Sequence, residues 1–412
     1  MKFKERFQLV ASAIKGRAIT MPVSEWREQF PLGGTSISGV GVNATSAQKF
    51  SAVFACVRIY SELPASMKID VTSTKSGKIE NISDGEVYQL LHYPNKYMNR
   101  FSFIELMGAR LQLYGNAVAV IKFDKKGTPV ELIPVEWTSV NIKMVKGEPF
   151  YIINDRDSDI SGTFFYWEVV HFKINTRNGY TGMSPLSVAR ESVGLGLAAE
   201  GFGGAFFGKG GNLKAAIETD NHMDDKQFKE WKTRWDKFYT GAGSEHTTPI
   251  LEYGMKYKLL GIPQNDAQFL ETRVHQVQDV ARFFLMPPSI IGENTNSTFK
   301  NNEQQDLQFV KYSLRALLKS QEVELEYKLV PKGDHGSIHI KYNMDSLLRG
   351  DMLTRARFGQ IMVQSGTYTR NEIREIENKP PLDGLDKPLE PAFLTGKLTD
   401  NDSSKENNDD KD

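Results

Sequence analysis

Three groups of residues have the types and spacing to do chemistry. Gly203-Gly204-Ala205-Phe206-Phe207-Gly208-Lys209 approaches a phosphate-binding loop, in which backbone N–H groups cradle phosphates and a lysine reaches them. The next residue is Gly210, where magnesium binding needs Ser or Thr, and the segment closes a helical pattern instead of following a strand. Gly208 therefore reads as a helix stop. His335 and His339 stand four apart, a metal-ligand spacing on a helix, but Gly333, Gly336 and the alternation after them make this a turn and a strand. His275 is flanked by Glu271 and Asp279 at helical spacing, the pattern of a solvated charge ladder. No Cys/His cluster suits zinc, and neither a nucleophile elbow nor a His-Glu-x-x-His helix is present. The carboxylates are scattered, with no pair standing out. The chain reads as a non-enzyme with no cofactor and no metal.

Composition narrows the class. The 412 residues are enough for one elaborate domain or two to three modules. Lys+Arg and Asp+Glu each number 51, so the formal net charge is zero and any contact with DNA must be local. The single cysteine, Cys56, cannot form an intrachain disulfide and lies in an apolar run, as a buried reduced thiol would. The apolar stretch Leu9 to Ile14 is broken by Ser12 and closed by Lys15. That is too short for export or a membrane span, so an intracellular, soluble protein is expected.

The elements that must position any site centre on residues 265–327. Asn265 caps a helix whose Leu270, Val274, Val277, Ala281 and Phe284 form one apolar stripe. Pro287-Pro288 stops it. A tip almost free of large apolar residues extends from Glu293 to Asn302, and a second helix resumes by Asp306. Its buried side is read as Leu307, Val310, Leu314, Leu317 and Leu318. Two strong helices around a long polar tip suggest a loop held out for a purpose.

In chain order, residues 1–45 read as a flexible, Gly-rich arm, with folded order from Ser46. Helices are expected at 50–63, 86–92 and 101–114. Short strands come next at 116–123, 130–135, 140–145, 150–153 and 164–174. Trp137 and Trp167 are assigned to core or rim packing. Ser184-Pro185 caps a helix to about Phe207, on which Gly194, Ala198, Gly201 and Ala205 make one small face. Each glycine there costs roughly 1 kcal/mol relative to alanine, which close approach of another helix or chain would offset. Residues 208–263 form a small module with strands at 213–218, 250–253 and 256–260. Its helix, 224–239, sets Lys226, Lys229, Lys232, Arg234 and Lys237 around Trp231 and Trp235. Residues 337–342 form a strand returning to the first block. Two helices come after it at 351–364 and 369–377, the latter with the capping box Thr369/Glu372. The acidic end is disordered in this reading.

Several segments together resemble the portal proteins of tailed double-stranded DNA bacteriophages, in the large siphophage branch with a Hong Kong-type head. They are Ser51-Ala52-Val53-Phe54-Ala55-Cys56-Val57, Leu90-Leu91-His92-Tyr93-Pro94-Asn95, Tyr114-Gly115-Asn116-Ala117 and Gly182-Met183-Ser184-Pro185-Leu186. Val280-Ala281-Arg282-Phe283-Phe284-Leu285-Met286-Pro287-Pro288 and Thr369-Arg370-Asn371-Glu372-Ile373-Arg374 with Pro380-Pro381-Leu382 complete the set. The resemblance implies an α+β portal fold. It would comprise a wing (46–183), stem helices (184–207 and 264–288), a clip (208–263) and a tunnel loop (289–305). A long helix with a returning wing strand (306–349), a short crown (350–392) and an acidic tail (393–412) would complete it.

It also implies a homo-dodecameric ring at one capsid vertex of the virion, assembled in the host cytoplasm with scaffold and major capsid proteins. Double-stranded DNA would pass through it during packaging and ejection. The terminase large subunit and then the head–tail adaptor would dock on the clip, at Lys226, Lys229, Trp231, Lys232, Arg234 and Trp235. Asn294, Asn296, Ser297, Thr298, Lys300, Asn301 and Asn302 would face the channel, and Gly194, Ala198, Gly201 and Ala205 would pack between subunits. Twelve helices spaced about 10 Å apart enclose a ring about 38 Å across, and side chains leave a bore of roughly 28 Å, wide enough for a duplex. Two rival readings remain. One is a DNA-processing enzyme with a lid at 293–303, for which Glu293, Glu303 and Lys300 are the only titratable groups at hand. The other is a minor capsid protein that never touches DNA.

Overall fold

The computed structural model describes residues 33–75, 77–208, 215–219, 223–239, 251, 254–259, 266–293, 299–344, 352–377 and 379–389. Residues 1–342 form one compact unit and 343–412 a second.

The first unit opens on a hairpin, β1 (Gly34–Thr35) with β2 (Gly41–Val42), and a one-turn helix, α1 (Ala44–Ala47), capped by Asn43. Order therefore begins before Ser46. The Gly-rich composition that suggested a loose arm instead supplies a tight turn at Gly39, whose φ is +81°. Helix α2 (Ser51–Ser66) carries Pro64 in its last turn, so it outlasts the expected end at Leu63. Strands β3 (Ile69–Ser73) and β4 (Glu80–Asn81) come next, then α3 (Glu86–His92) and α4 (Arg100–Tyr114). Asn99 caps α4 through Ser102 N, and Gly115, at φ +71°, ends it. Gly108 lets α4 cross α2 closely, since a Cβ there would lie 2.8 Å from Ser61 Cα.

The strands β5 (Asn116–Phe123), β6 (Pro129–Val135), β7 (Val140–Val145), β8 (Glu148–Asp155), β9 (Ile160–Phe165) and β10 (Val169–Lys173) succeed α4. They form two antiparallel sheets, β10-β5-β6 and β7-β8-β9. The single strand expected over 164–174 is thus two strands in different sheets, parted by a 3-10 turn at Tyr166–Glu168. The sheets share a core of Val118, Val120, Ile133, Val135, Trp137, Ile142, Tyr151 and Ile153. Trp137 is core, as the sequence suggested, and Trp167 sits at the rim.

Helices α5 (Pro185–Val188) and α6 (Arg190–Gly208) split the expected helix at Ala189; Ser184 is its N-cap and Pro185 its first residue. The Gly203–Gly208 stretch lies in α6 and the helix ends at Gly208; Lys209 lies outside the described residues. The small module contains β11 (Ala215–Glu218) paired with β12 (Lys256–Leu259) and α7 (Asp225–Tyr239). The strand expected at 250–253 falls mostly outside the described residues. Then come α8 (Asp266–Phe283), α9 (Phe299–Gln308), a π-helical stretch at Phe309–Leu314, α10 (Arg315–Leu329) and β13 (Ile338–Tyr342). As expected, β13 returns to the first block, pairing with β3.

Helix α10 braces two sheet edges. Edge strand β13 points the N–H groups of Ile340 and Tyr342 outward; they donate to Glu326 Oε1 and Glu322 Oε1 at 2.9 and 2.8 Å. Edge strand β10 points His171 N–H at Glu324 Oε1, 3.1 Å away. Residues 322 and 326 share a helix face, and 324 lies on the opposite side. One helix thus replaces a missing strand on each of two sheets. The far edge of the β10-β5-β6 sheet is closed too: Leu132 N donates to Pro94 O, and Asn95 Nδ2 to Leu132 O.

Two of the family-like segments interlock beneath this brace. Asn116 Oδ1 accepts from Gly182 N (2.7 Å), and Asn116 Nδ2 donates to the carbonyls of Tyr114 and Gly182. A Cβ on Gly182 would lie 2.0 Å from Gly115 O, so only glycine fits. His171 is wholly enclosed there. Its Nε2–H donates to Asn116 Oδ1 (3.0 Å), and its Nδ1 accepts from the Tyr151 hydroxyl (2.9 Å). Burial, helped by Lys173 and Lys328, holds the imidazole well below its ordinary value of 6.5.

The second unit holds α11 (Met352–Gln364) and α12 (Arg370–Ile376). The capping box of Thr369 and Glu372 forms as predicted. Asn371, buried, brackets Leu382 by donating to its carbonyl and accepting from its N–H, and also donates to Asp386 Oδ1. The acidic end lies outside the described residues.

His171 makes stability depend on pH in a definite direction. The unfolded imidazole gains a proton below about pH 6.5 and the native one does not, so its contribution is complete above that value and is lost as pH falls through it. Urea unfolding of the wild type should therefore lose stability between pH 7.5 and 5.5 more steeply than unfolding of His171→Gln. Equal slopes would contradict the buried neutral assignment.

Candidate functional site

The polar tip is held by an elbow at its base. Helix α8 runs to Phe283, and Leu285 then turns the chain with φ +51°, a left-handed conformation costly for leucine. Met286 N bonds back to Ala281 O at 2.9 Å, closing the helix before Pro287-Pro288. The expected stripe is observed in part: Ala281 and Phe284 are buried and Val274 and Val277 half-buried, with Val280 buried beside them. Asn265 lies outside the described residues.

Three groups clamp the exposed turn. The Tyr60 hydroxyl on α2 donates to Phe284 O at 2.8 Å, and Ser313 Oγ donates to Leu285 O at 2.8 Å. Phe309 meets the Tyr60 ring edge-on, with centroids 5.4 Å apart. Below the tip, Ser289 Oγ donates to Gln305 Oε1 at 2.8 Å, tying the turn to α9. Tyr60, Phe309 and Ser313 were not singled out from sequence; a tyrosine in an apolar helical run carries no local signal of a partner two hundred residues away.

Of the predicted tip residues, Asn294, Asn296, Ser297 and Thr298 lie outside the described residues. Lys300, Asn301 and Asn302 do not lie in a loop: α9 starts at Phe299 and carries all three. The run Phe299–Gln308 has no Gly or Pro and contains Lys, Glu and three Gln, all good helix formers, so low apolarity misled the loop boundary. Leu307, expected to be buried, is 53% exposed. The π turn supplies the reason, because its extra residue rotates everything before it out of the expected stripe.

The small face of α6 divides in two. Gly194 on that face, and Gly196 on the opposite side of the helix, are filled from within the chain: a Cβ on Gly194 would lie 2.2 Å from Ser36 Oγ, and one on Gly196 2.9 Å from the Phe50 ring. Ile37 N donates to Glu191 Oε2 at 2.8 Å, locking the hairpin on. The close approach expected at Gly194 thus comes from the chain's own β1–β2 turn. Ala198 is half-buried. Ala205 is exposed, and nothing among the described residues comes within 4 Å of a Cβ on Gly201 or Gly204. Glu200 on α6 pairs with Arg273 on α8 at 3.3 Å.

On α7, Asp224 and Gln227 cap each other, and Trp231 stacks on Trp235 with centroids 5.4 Å apart. Lys226, Lys229, Lys232 and Arg234 are exposed, and the two tryptophans are half-buried. The sequence-level histidines take structural places. His335 bonds Val330 O, His339 lies 3.6 Å from Glu326, and His275 lies 3.6 Å from Asp279, which also pairs with Arg282. No group of three or more metal-ligating side chains occurs among the described residues. Cys56 is buried, and burial pushes its thiol up to about 12.

The geometry defines a scaffold, in which brackets, caps and braces fix the elbow after α8 against α2, α9 and the π turn. A family model described as phage portal protein matches residues 51–378, and the chain belongs to that family. It is 32% identical over 356 residues to the portal protein of Enterobacteria phage HK97, covering 85% of this chain and 84% of that one. It is 30% identical over 370 residues to the probable portal protein of Streptomyces phage phiC31, covering 86% and 80%. Its fold is similar to a chain in the neck of a native gene transfer agent particle computed with C12 symmetry. There the TM-score is 0.57 and the identity 19%, over 91% of this chain and all of that one.

The clamp at the elbow has a measurable worth. Tyr60→Phe keeps the ring against Phe309 but strips the buried Phe284 carbonyl of its donor, which should cost about 1–2 kcal/mol. Urea denaturation should show a lower midpoint with an unchanged slope.

Proposed function

We propose that twelve copies of this chain form a ring at one vertex of a phage capsid, through which double-stranded DNA is packaged and ejected. The observation that carries the reading is the open half of α6. Gly201 and Gly204 have room for a neighbour, with Leu195 half exposed on the same helix, and α6 is anchored to α8 through Glu200–Arg273. A second subunit packed there would place the α6/α8 pairs side by side around an axis. The twelvefold symmetry of the gene transfer agent neck supports the number. The tip between α8 and α9 would then face the channel. The tip itself carries no lysine or arginine, and Lys300 stands just beyond it at the start of α9, so it would touch DNA without gripping it, because phosphate affinity grows with each added cation.

The cationic, aromatic α7 is the docking surface we assign to the terminase large subunit and, later, the head–tail adaptor. Scaffold and major capsid proteins would meet the outside of the ring during assembly in the host cytoplasm. None of these roles requires catalysis by the chain itself.

Gly201→Leu fills open space in the isolated subunit. Its circular dichroism and melting temperature should stay near wild type while electron microscopy loses the rings; intact rings would rule out this face. Charge reversal at Lys229 and Lys232 should leave rings intact and abolish binding of the packaging motor. Normal packaging by that variant would move the docking surface elsewhere.

A further inference from the structure

The segment Phe309–Leu314 carries six residues of π-helix within an otherwise α-helical rod. A π turn holds one residue more than an α turn, so it rotates the helix before it by about 100° relative to the helix after it. In the observed register Phe309 and Leu314, five apart, are both buried, and Leu307 is 53% exposed. In an unbroken α-helix the same sequence would align Leu307, Val310, Leu314, Leu317 and Leu318 on one face. The two registers therefore exchange one large apolar side chain for another. Each sets one large apolar side chain before Leu314 toward the buried side, Phe309 in one and Leu307 in the other, and the chain after Leu314 is common to both.

We propose that Phe309–Leu314 is a register switch, in which the π turn and a straight α-helix are two states of one segment. Passage between them turns α9 by about 100° about its axis and shifts it by about 1.5 Å. Three contacts hold the π state: Phe309 on the Tyr60 ring, Ser313 Oγ on Leu285 O, and Ser289 Oγ on Gln305. All three join the rod to α2 or to the elbow after α8. Whatever displaces that elbow releases Phe309, and Leu307 supplies the stabilisation of the alternative state. Because α9 begins at Phe299, the turn would rotate the helix backbone from there onward as one piece. The switch is a property of the single chain and does not depend on the ring proposed above.

A thiol at position 309 both weakens the anchor and reports the state. Cys56 is wholly buried, so it stays silent toward maleimide. In Phe309→Cys the α register should dominate, leaving the introduced thiol exposed and labelled at least about tenfold faster than Cys56. Adding Leu307→Asn removes the reward for that register, so the introduced thiol should become protected again. Deleting Lys311 together with Phe309→Cys should likewise protect it, because the shortened helix keeps position 309 inward without a π turn. If the introduced thiol is as protected as Cys56 in the single variant, or is labelled equally fast with Leu307→Asn, the segment has only one register. Should Phe309→Cys fail to fold, Leu307→Cys with Phe309→Val reads the same equilibrium in reverse. Labelling at position 307 should then slow about tenfold relative to Leu307→Cys alone, and an unchanged rate overturns the switch.

Discussion

The structure of the first unit depends on three carboxylates reaching across from one helix to the open edges of two sheets. An edge strand leaves alternate N–H groups without partners, and burying them unpaired costs about 1–3 kcal/mol each. Glu322, Glu324 and Glu326 meet Tyr342, His171 and Ile340, with Lys319 and Lys328 close to the carboxylates. The spacing is dictated by geometry: two residues along β13 advance about as far as four along α10, so 340 and 342 match 326 and 322. The same helix continues through the π turn into α9. Whatever orientation the sheets adopt is thereby passed to the base of the tip.

Much of this was legible in the sequence, where one period dominated. The β-rich apolar run in Asn116–Phe123 and the alternation in Val140–Val145 marked those strands, and Ser184 and Thr369 stand at their helices with cap chemistry. Other parts were hidden for physical reasons. Tyr166-Trp167-Glu168 breaks a strand without Gly or Pro, so two alternating runs read as one. The β1–β2 hairpin is Gly- and Ser-rich, and its order comes from contacts with Arg190, Glu191 and Gly194 about 155 residues away. The π turn cannot be seen from an apolar pattern that also satisfies an α-helix. The glutamates at 322, 324 and 326 did leave a trace: period-two charge inside a helix puts carboxylates on opposite faces, which a single solvated face does not explain.

The segments that carry the family resemblance are joints rather than reagents. Tyr114–Ala117 and Gly182–Leu186 interlock through Asn116 and two glycines. Pro94-Asn95 covers a sheet edge, the run ending in Pro287-Pro288 forms the elbow, and Asn371 brackets Leu382. Such positions tolerate little because backbone meets backbone, where no side chain can adapt. The surfaces we assign to partners, by contrast, include the exposed lysines of α7 and the open glycines of α6, where no close packing within the described residues constrains the side chain. A portal subunit built this way can keep its frame while its outward contacts change.

The β1–β2 turn seated on α6 also sets an order of events. Ser36 reaches Gly194 within its own chain, a contact that needs no second molecule. In the proposed ring the inner half of the small face would already be occupied when a neighbour arrives, leaving the half around Gly201 open. The turn would there act as a self-supplied stopper that shortens the length of helix a neighbour can touch. In that ring a chain lacking it would offer a longer contact face, with more ways to pair out of step.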